Sequence, residues 1–197
     1  MANVTLGDLE EVTTLNTTDI LHFRTAVNID KKITVEDFTE DIHKNLLQIR
    51  FEEPSGTRGG HFTAEDWRTR PLDTVVTNEI AGASLSSNQI TLPVGTFFVE
   101  WQAEAYGNVH NHQSRLYNIT DAAVLALGSS EYIGTAGGYP ATASLSIGFG
   151  RFDLSGTKVL ELQHQCLSSI MDLGMGEYSG FTVDAEVYCS ITIRKIV

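Results

Sequence analysis

The chain has 197 residues, of which 42% are hydrophobic and 19% are charged, and its formal net charge at pH 7 is −12. This composition is typical of a globular protein with a core of its own and argues against an intrinsically disordered chain. The acidic balance, with Lys and Arg scattered along the sequence, argues against a surface that follows nucleic-acid phosphates.

No stretch approaches the roughly 18 consecutive apolar residues of a membrane helix, and the first residues lack the basic and apolar regions of a signal peptide. We therefore expect no membrane insertion and a protein that is synthesised and folds in a cytoplasm. In that reducing compartment, Cys166 and Cys189 are expected to be two buried free thiols rather than a disulfide.

The first 50 residues have a pattern of their own. Residues 19–24 predict a short strand, and Thr34 followed by Asp37 is typical of a helix capping box. Apolar residues at helical spacing then predict a helix from about Val35 to Gln48. This small α+β segment cannot bury a core alone, so it must dock on the rest of the chain, a sister chain or another protein. The apolar residues expected to form this anchor are Ile20, Leu21, Phe23, Phe38, Ile42 and Leu46.

Residues 51–71 are predicted to be a connector, because they hold the loop signals Pro54, Gly59-Gly60 and Arg70-Pro71. Trp67 within it is expected to pack against a neighbouring surface. The Gly-rich connector leads us to expect that residues from Gly59 onward fold without the anchor.

From Leu72 onward the hydrophobic pattern has a period of two. It places one set of residues toward a core, namely Phe97, Val99, Trp101, Ala103, Ala105, Leu160, Leu162, His164, Cys166, Val183, Ala185, Val187, Cys189, Ile191 and Ile193. About eight strands fit between Thr74 and Ile196, separated by turn signals. Residues 72–197 therefore predict a mainly β domain, an antiparallel sandwich or jelly roll.

The sequence contains no phosphate-binding loop and no Gly-x-Ser-x-Gly elbow, so we predict no catalytic residue and no cofactor. Carboxylates are numerous, and a glycosidase pair stays open from the sequence alone. His110 and His112, two apart on a strand, are a weak candidate for a metal on a trimer axis. The favoured interpretation is a polar loop whose histidines make ordinary hydrogen bonds, with no metal. His164 is expected to be a core histidine satisfied by a neighbour.

Several segments, in this order, resemble the C-terminal domain of fibre and head-fibre proteins of tailed bacteriophages: residues 72–78, 90–97, 112–121, 162–166 and 186–188. That domain is a tumour-necrosis-factor-like jelly roll that forms trimers. The segment from Lys31 to Phe38 is similar to the short anchor that opens many phage fibre proteins. The resemblance implies a homotrimeric virion protein. Trp67 of the connector agrees with a trimer, as do Phe98 and Tyr106, which lie on a face that alternation leaves exposed.

The resemblance implies three possible functions. The first is a tail fibre whose head contacts a glycan or protein of the host surface, and the second is a head fibre or capsid decoration protein. A fibre that degrades surface glycan is the third and least favoured, because no domain is left over for an enzyme. In each case the anchor binds another virion protein.

If the head recognises a surface, we expect loops to do so, because loops on a rigid scaffold tolerate change. The candidate loops are residues 134–141, with Tyr139, and residues 168–180, with Met171, Met175 and Tyr178. The alternative is that these residues only turn the chain or pack between subunits.

Overall fold

The structure is a computed structural model that describes residues 20–24, 30–34, 45–134, 142–181 and 184–196. The chain divides into two compact units, residues 1–44 and residues 45–197. In the first unit, β1 (Ile20–Arg24) pairs antiparallel with β2 (Asp30–Thr34). The predicted strand is thus confirmed, and Ile20, Leu21 and Phe23 belong to β1. Phe38, Ile42 and most of the predicted helix lie outside the described residues.

The second unit, called here the sheet unit, is one antiparallel sheet. Its strands are β3 (Leu46–Glu53), β4 (Arg68–Thr69), β5 (Thr74–Asn78), β6 (Ser84–Ser86), β7 (Gln89–Leu92), β8 (Gly95–Tyr106), β9 (His110–Asn118), β10 (Ala123–Ile133), β11 (Ala143–Leu154), β12 (Lys158–Cys166) and β13 (Glu186–Lys195). The strand order is β5-β3-β13-β8-β11-β10-β9-β12-β7-β6, with β4 paired to β12. In the described part of the chain, no helix is long and apolar enough to cross a membrane.

The main core lies between strands that are distant in this order. Ile49 of β3 and Ile191 of β13 share one buried cluster with Leu116 of β9 and Leu160 of β12. The sheet therefore curls around this main core, and the predicted mainly β, antiparallel class is confirmed. Between Thr74 and Lys195 the described residues form nine strands where the sequence predicts about eight, and two of the nine, β6 and β7, are very short.

The alternation predicted for β8 is confirmed, since Phe97, Val99, Trp101, Ala103 and Ala105 are all buried. On β13 it holds from Cys189 to Ile193, but Val187 is exposed. The reason is a register shift against β3 between Val187 and Cys189, which reverses the direction of the side chains before it.

The predicted helix end is wrong over residues 46–48, because Leu46 begins β3. Leu47, Ile49 and Phe51 follow the period of two and pack in the core. β3 is also hydrogen-bonded to β5 on one side and β13 on the other. The predicted boundary near residue 50 therefore cuts through a strand, and a chain beginning at Gly59 would lack it.

The two cysteines are free and buried, as predicted. Burial raises the pKa of each thiol to about 11. The Cys166 thiol donates a hydrogen bond to the backbone oxygen of Ser168 at 3.4 Å. Both thiols are therefore protonated at neutral pH, which lowers their reactivity as nucleophiles.

Candidate functional site

The structure separates the residues predicted to recognise a surface. Met171 is 72% exposed, and Tyr178 is exposed beneath the guanidinium of Arg58, whose carbon lies 5.8 Å from the ring centroid. Tyr139 lies outside the described residues. Met175 is only 7% exposed and packs in a second core cluster with Phe62. The prediction of Met175 as a surface contact is therefore wrong for this chain.

Hydrogen bonds from Arg70 hold the backbone at Met175 in the interior of the protein. This arginine is fully buried, and its Nη2 donates hydrogen bonds to the backbone oxygens of Met175, at 2.7 Å, and of Tyr188, at 3.1 Å. It thereby ties the connector to the last strand. In the sequence, Arg70-Pro71 indicates only a loop. Glu104 interacts electrostatically with Arg70, but burial dominates and raises the pKa of Glu104 to about 7.

The two candidate metal-ligating histidines make separate contacts. His110 begins β9 with a φ of 60°, and its ring centroid lies 5.9 Å from that of Tyr132. His112 is buried, with Nδ1 3.0 Å from Nε2 of His164 and Nε2 2.7 Å from the Ser144 hydroxyl. His112 thus makes the ordinary hydrogen bonds that were expected, but the predicted polar loop is wrong, because both histidines belong to β9. His164 has the predicted neighbour at Nε2, whereas its buried Nδ1 has no hydrogen-bond partner among the described residues. Among the described residues, no group of three potential ligands converges on a metal site.

Burial determines the charge state of this histidine pair. It lowers the pKa of His112 to about 4 and that of His164 well below its ordinary value. Both imidazoles are therefore neutral at pH 7, so one ring nitrogen of the pair donates and the other accepts. The pair therefore carries no charge near neutral pH.

On the outer surface, Trp67 packs against its own chain, as predicted. The guanidinium carbon of Arg115 lies 4.1 Å from the centroid of Trp67 and 4.5 Å from that of Tyr117. The Nε of Arg115 donates to Oε1 of Gln163 at 2.9 Å. Trp67 is therefore occupied within the chain and does not carry the argument for a trimer.

Glu161 and Gln163 depart from the predicted alternation of β12, because both are buried although they alternate with core residues. The carboxylate of Glu161 accepts hydrogen bonds from Thr69 and Gln89, each at 2.9 Å, and from Gln163 at 2.8 Å. The connector and β7 thus cover this outer face of β12 and fix it rigidly.

Beside this network lies a cleft of about 450 Å³, here called the β9–β10 cleft. Seven of the nine residues that line it have polar side chains; the nine are Glu65, Asn111, His112, Gln113, Ser130, Glu131, Gln165, Cys166 and Leu167. Its volume lies in the range of about 300–1,000 Å³ that is common for small-molecule sites. Glu65 adopts a φ of 75°, in the left-handed region that costs a non-glycine residue energy.

A second surface feature is apolar. The outer side of β11 exposes Leu145, Ile147 and Phe149, and Phe149 is 71% exposed. Gly128 of β10 pairs with Gly148 of β11 in antiparallel register. Leu127, which precedes Gly128 and is exposed, therefore neighbours Phe149. We call these four residues the β11 face. Phe98 and Tyr106 of β8 lie opposite Arg151 and Ala143 of β11, and so on the same side of the sheet. They are half-buried, so the most exposed apolar residues of this side belong to β11 rather than to β8.

Comparison with known proteins finds no family model and no curated protein that matches this chain. The geometry of the chain and the resemblance of its sequence to phage fibre proteins are therefore the basis for a proposed function.

Proposed function

We propose that this chain is a bacteriophage virion structural protein, a homotrimeric tail fibre whose jelly-roll head contacts the host surface. In this proposal the sheet unit is the head, and the chain works by binding without catalysis. The antiparallel sheet around the main core supports the head assignment. The observation that carries the proposal is the β11 face.

The β11 face is unusual for a surface that stays in water. Three apolar side chains follow one another along the outer side of β11, and Leu127 extends the surface onto β10. Contiguous exposed apolar surface commonly marks a protein–protein interface. Burying a side chain such as Phe149 is worth about 1.5–3 kcal/mol. Three copies joined through this face would remove it from water, and the threefold symmetry comes from the family resemblance.

The anchor in this proposal is the first unit, residues 1–44, rather than residues 1–50. It contains the β1–β2 hairpin, and Leu46 belongs to the head because it begins β3. The sheet unit has a core of its own, and in this proposal the first unit binds another virion protein. The proposed place of the protein is the virion.

The mass of the full chain in solution tests the trimer. Sedimentation equilibrium should give three times 21.6 kDa at micromolar concentration. Phe149→Asp should shift the mass toward one chain, because it places a charge in the interface. Met171→Asp is the matched control, since Met171 is equally exposed but lies outside the β11 face. A monomeric wild-type protein, or a Phe149→Asp variant that remains trimeric, would contradict the proposed interface.

A further inference from the structure

Tyr132 presents an exposed aromatic ring beside the β9–β10 cleft. It is 63% exposed and lies directly opposite Asn111, a residue of the cleft, in the β9–β10 register. Side chains of directly opposed residues are neighbours on one side of the sheet. The ring contacts His110, and it covers Gly134 so closely that a Cβ there would lie 2.5 Å from the tyrosine oxygen. The ring therefore lies against His110 and Gly134 and keeps most of its surface exposed.

The floor of the cleft is a row of polar side chains across three strands. Ser130 of β10 is opposite Gln113 of β9, which is opposite Gln165 of β12. Gln113 donates to the backbone oxygen of Gly128 and Gln165 to that of Glu65, each at 2.9 Å. Both amides are thus oriented, and their Oε1 atoms have no hydrogen-bond partner among the described residues. Such fixed acceptors are ready to bind a ligand without further ordering.

Other polar groups of the cleft are also available. The side chains of Asn111 and Ser130 make no hydrogen bond to any other described residue and are exposed. An amide and a hydroxyl each donate and accept, so together they match the hydroxyl groups of a sugar. The apolar contribution comes from Leu167, which is exposed, and from the ring of Tyr132.

The charge of the cleft selects among ligands. Its charged residues are the acids Glu65 and Glu131, and no lysine or arginine lines it in the described part of the chain. Carboxylates accept hydrogen bonds from hydroxyl groups but repel anions. The net charge of −12 acts in the same direction. Phosphorylated or sialylated ligands are therefore disfavoured, whereas a neutral ligand rich in hydroxyl groups fits.

We propose that the β9–β10 cleft binds a neutral saccharide, with one sugar ring stacked on Tyr132 and its hydroxyl groups hydrogen-bonded to Asn111, Gln113 and Ser130, which lie on the same side of the sheet. The amphipathic tyrosine ring suits the apolar face of a sugar, and the polar row suits its edge. The inference rests on the proposed function for the source of the sugar, a glycan of the host surface. It places recognition on strands β9 and β10 rather than in the loops predicted from the sequence.

Binding of the full-length protein to an array of hexose and N-acetylhexosamine oligosaccharides tests this inference. The array includes neutral, sialylated and phosphorylated members, and calorimetry then measures affinity for the strongest neutral one. Tyr132→Ala should weaken binding roughly tenfold, because loss of one stacked ring costs on the order of 1.4 kcal/mol. Asn111→Leu should weaken it similarly. Tyr178→Ala is the matched control, since it removes an exposed tyrosine from a predicted recognition loop.

Three results would overturn the inference: no neutral oligosaccharide binds, anionic members bind best, or Tyr132→Ala keeps the wild-type affinity. Sedimentation of each variant, performed alongside, separates these results from failure of the proposed function. A trimer that is found in phage particles but binds no neutral saccharide would refute only the cleft assignment.

Discussion

Removal of β3 provides a quantitative test of where the sheet unit begins. β3 contributes Leu47, Ile49 and Phe51 to the main core, and each is at least nine-tenths buried. Burial of one such side chain is worth about 1.5–3 kcal/mol, so the three contribute on the order of 5–9 kcal/mol. A typical domain has a total stability of about 5–15 kcal/mol. A chain of residues 59–197 should therefore fail to fold, whereas residues 45–197 should fold.

The assay is urea unfolding of both truncated chains, followed by circular dichroism. Residues 45–197 should show a cooperative transition, and residues 59–197 should show none. Ile49→Ala in the full chain is a milder version, expected to cost about 2–5 kcal/mol because it leaves a cavity in a packed core. The reasoning would be refuted if residues 59–197 unfolded cooperatively at the same urea concentration as residues 45–197.

Two further perturbations probe the interior. Burial lowers the pKa of His112 from 6.5 to about 4, so below pH 6.5 the unfolded chain binds a proton that the folded chain does not. The pKa of the Glu104 carboxyl is raised to about 7, so its titration has the opposite effect on stability. We therefore use a Glu104→Gln background, in which the free energy of unfolding should fall as the pH drops from 7 to 4. Adding His112→Gln should reduce that fall by about 2 kcal/mol, after allowance for solvent screening. Urea unfolding measures it, and the same fall with and without His112→Gln would contradict the prediction. Gly148→Ala should destabilise by about 1–3 kcal/mol, because its Cβ would lie 2.0 Å from a ring carbon of Trp101. Gly156→Ala, with nothing within 4 Å, is the control and should be nearly neutral in thermal unfolding.

The strands with strict alternation could be predicted from the sequence. β8 alternates over its whole length, and the side chains assigned to the core are buried there. β3 could not be predicted, because its residues fit two periods. Ile42, Leu46 and Ile49 have a helical spacing, whereas Leu47, Ile49 and Phe51 have the spacing of a strand. Pairing with β5 and β13 decides between the two periods, and such distant partners are not visible in a local pattern.

The candidate sites depended even more on distant contacts. Met175 and Arg70 are buried because the connector and the segment before β13 meet over the second core cluster. The β9–β10 cleft joins residues of β9, β10 and β12 with Glu65 of the connector. The pairing of exposed Tyr132 with Asn111 follows from strand register alone. The sequence does contain the aromatic and amide residues of the cleft, and they belong to strands that become neighbours. The register that brings them together could not be deduced from the sequence.

The position of this chain in an intact phage particle tests the central claim most directly. Antibodies against the sheet unit, applied to purified particles and viewed by electron microscopy, should label the tail, and mass spectrometry of the same particles should detect peptides of the chain. Labelling of the capsid would replace the tail-fibre assignment with a head fibre or decoration protein. Particles that contain no peptide of this chain would contradict the proposal that it is a virion structural protein.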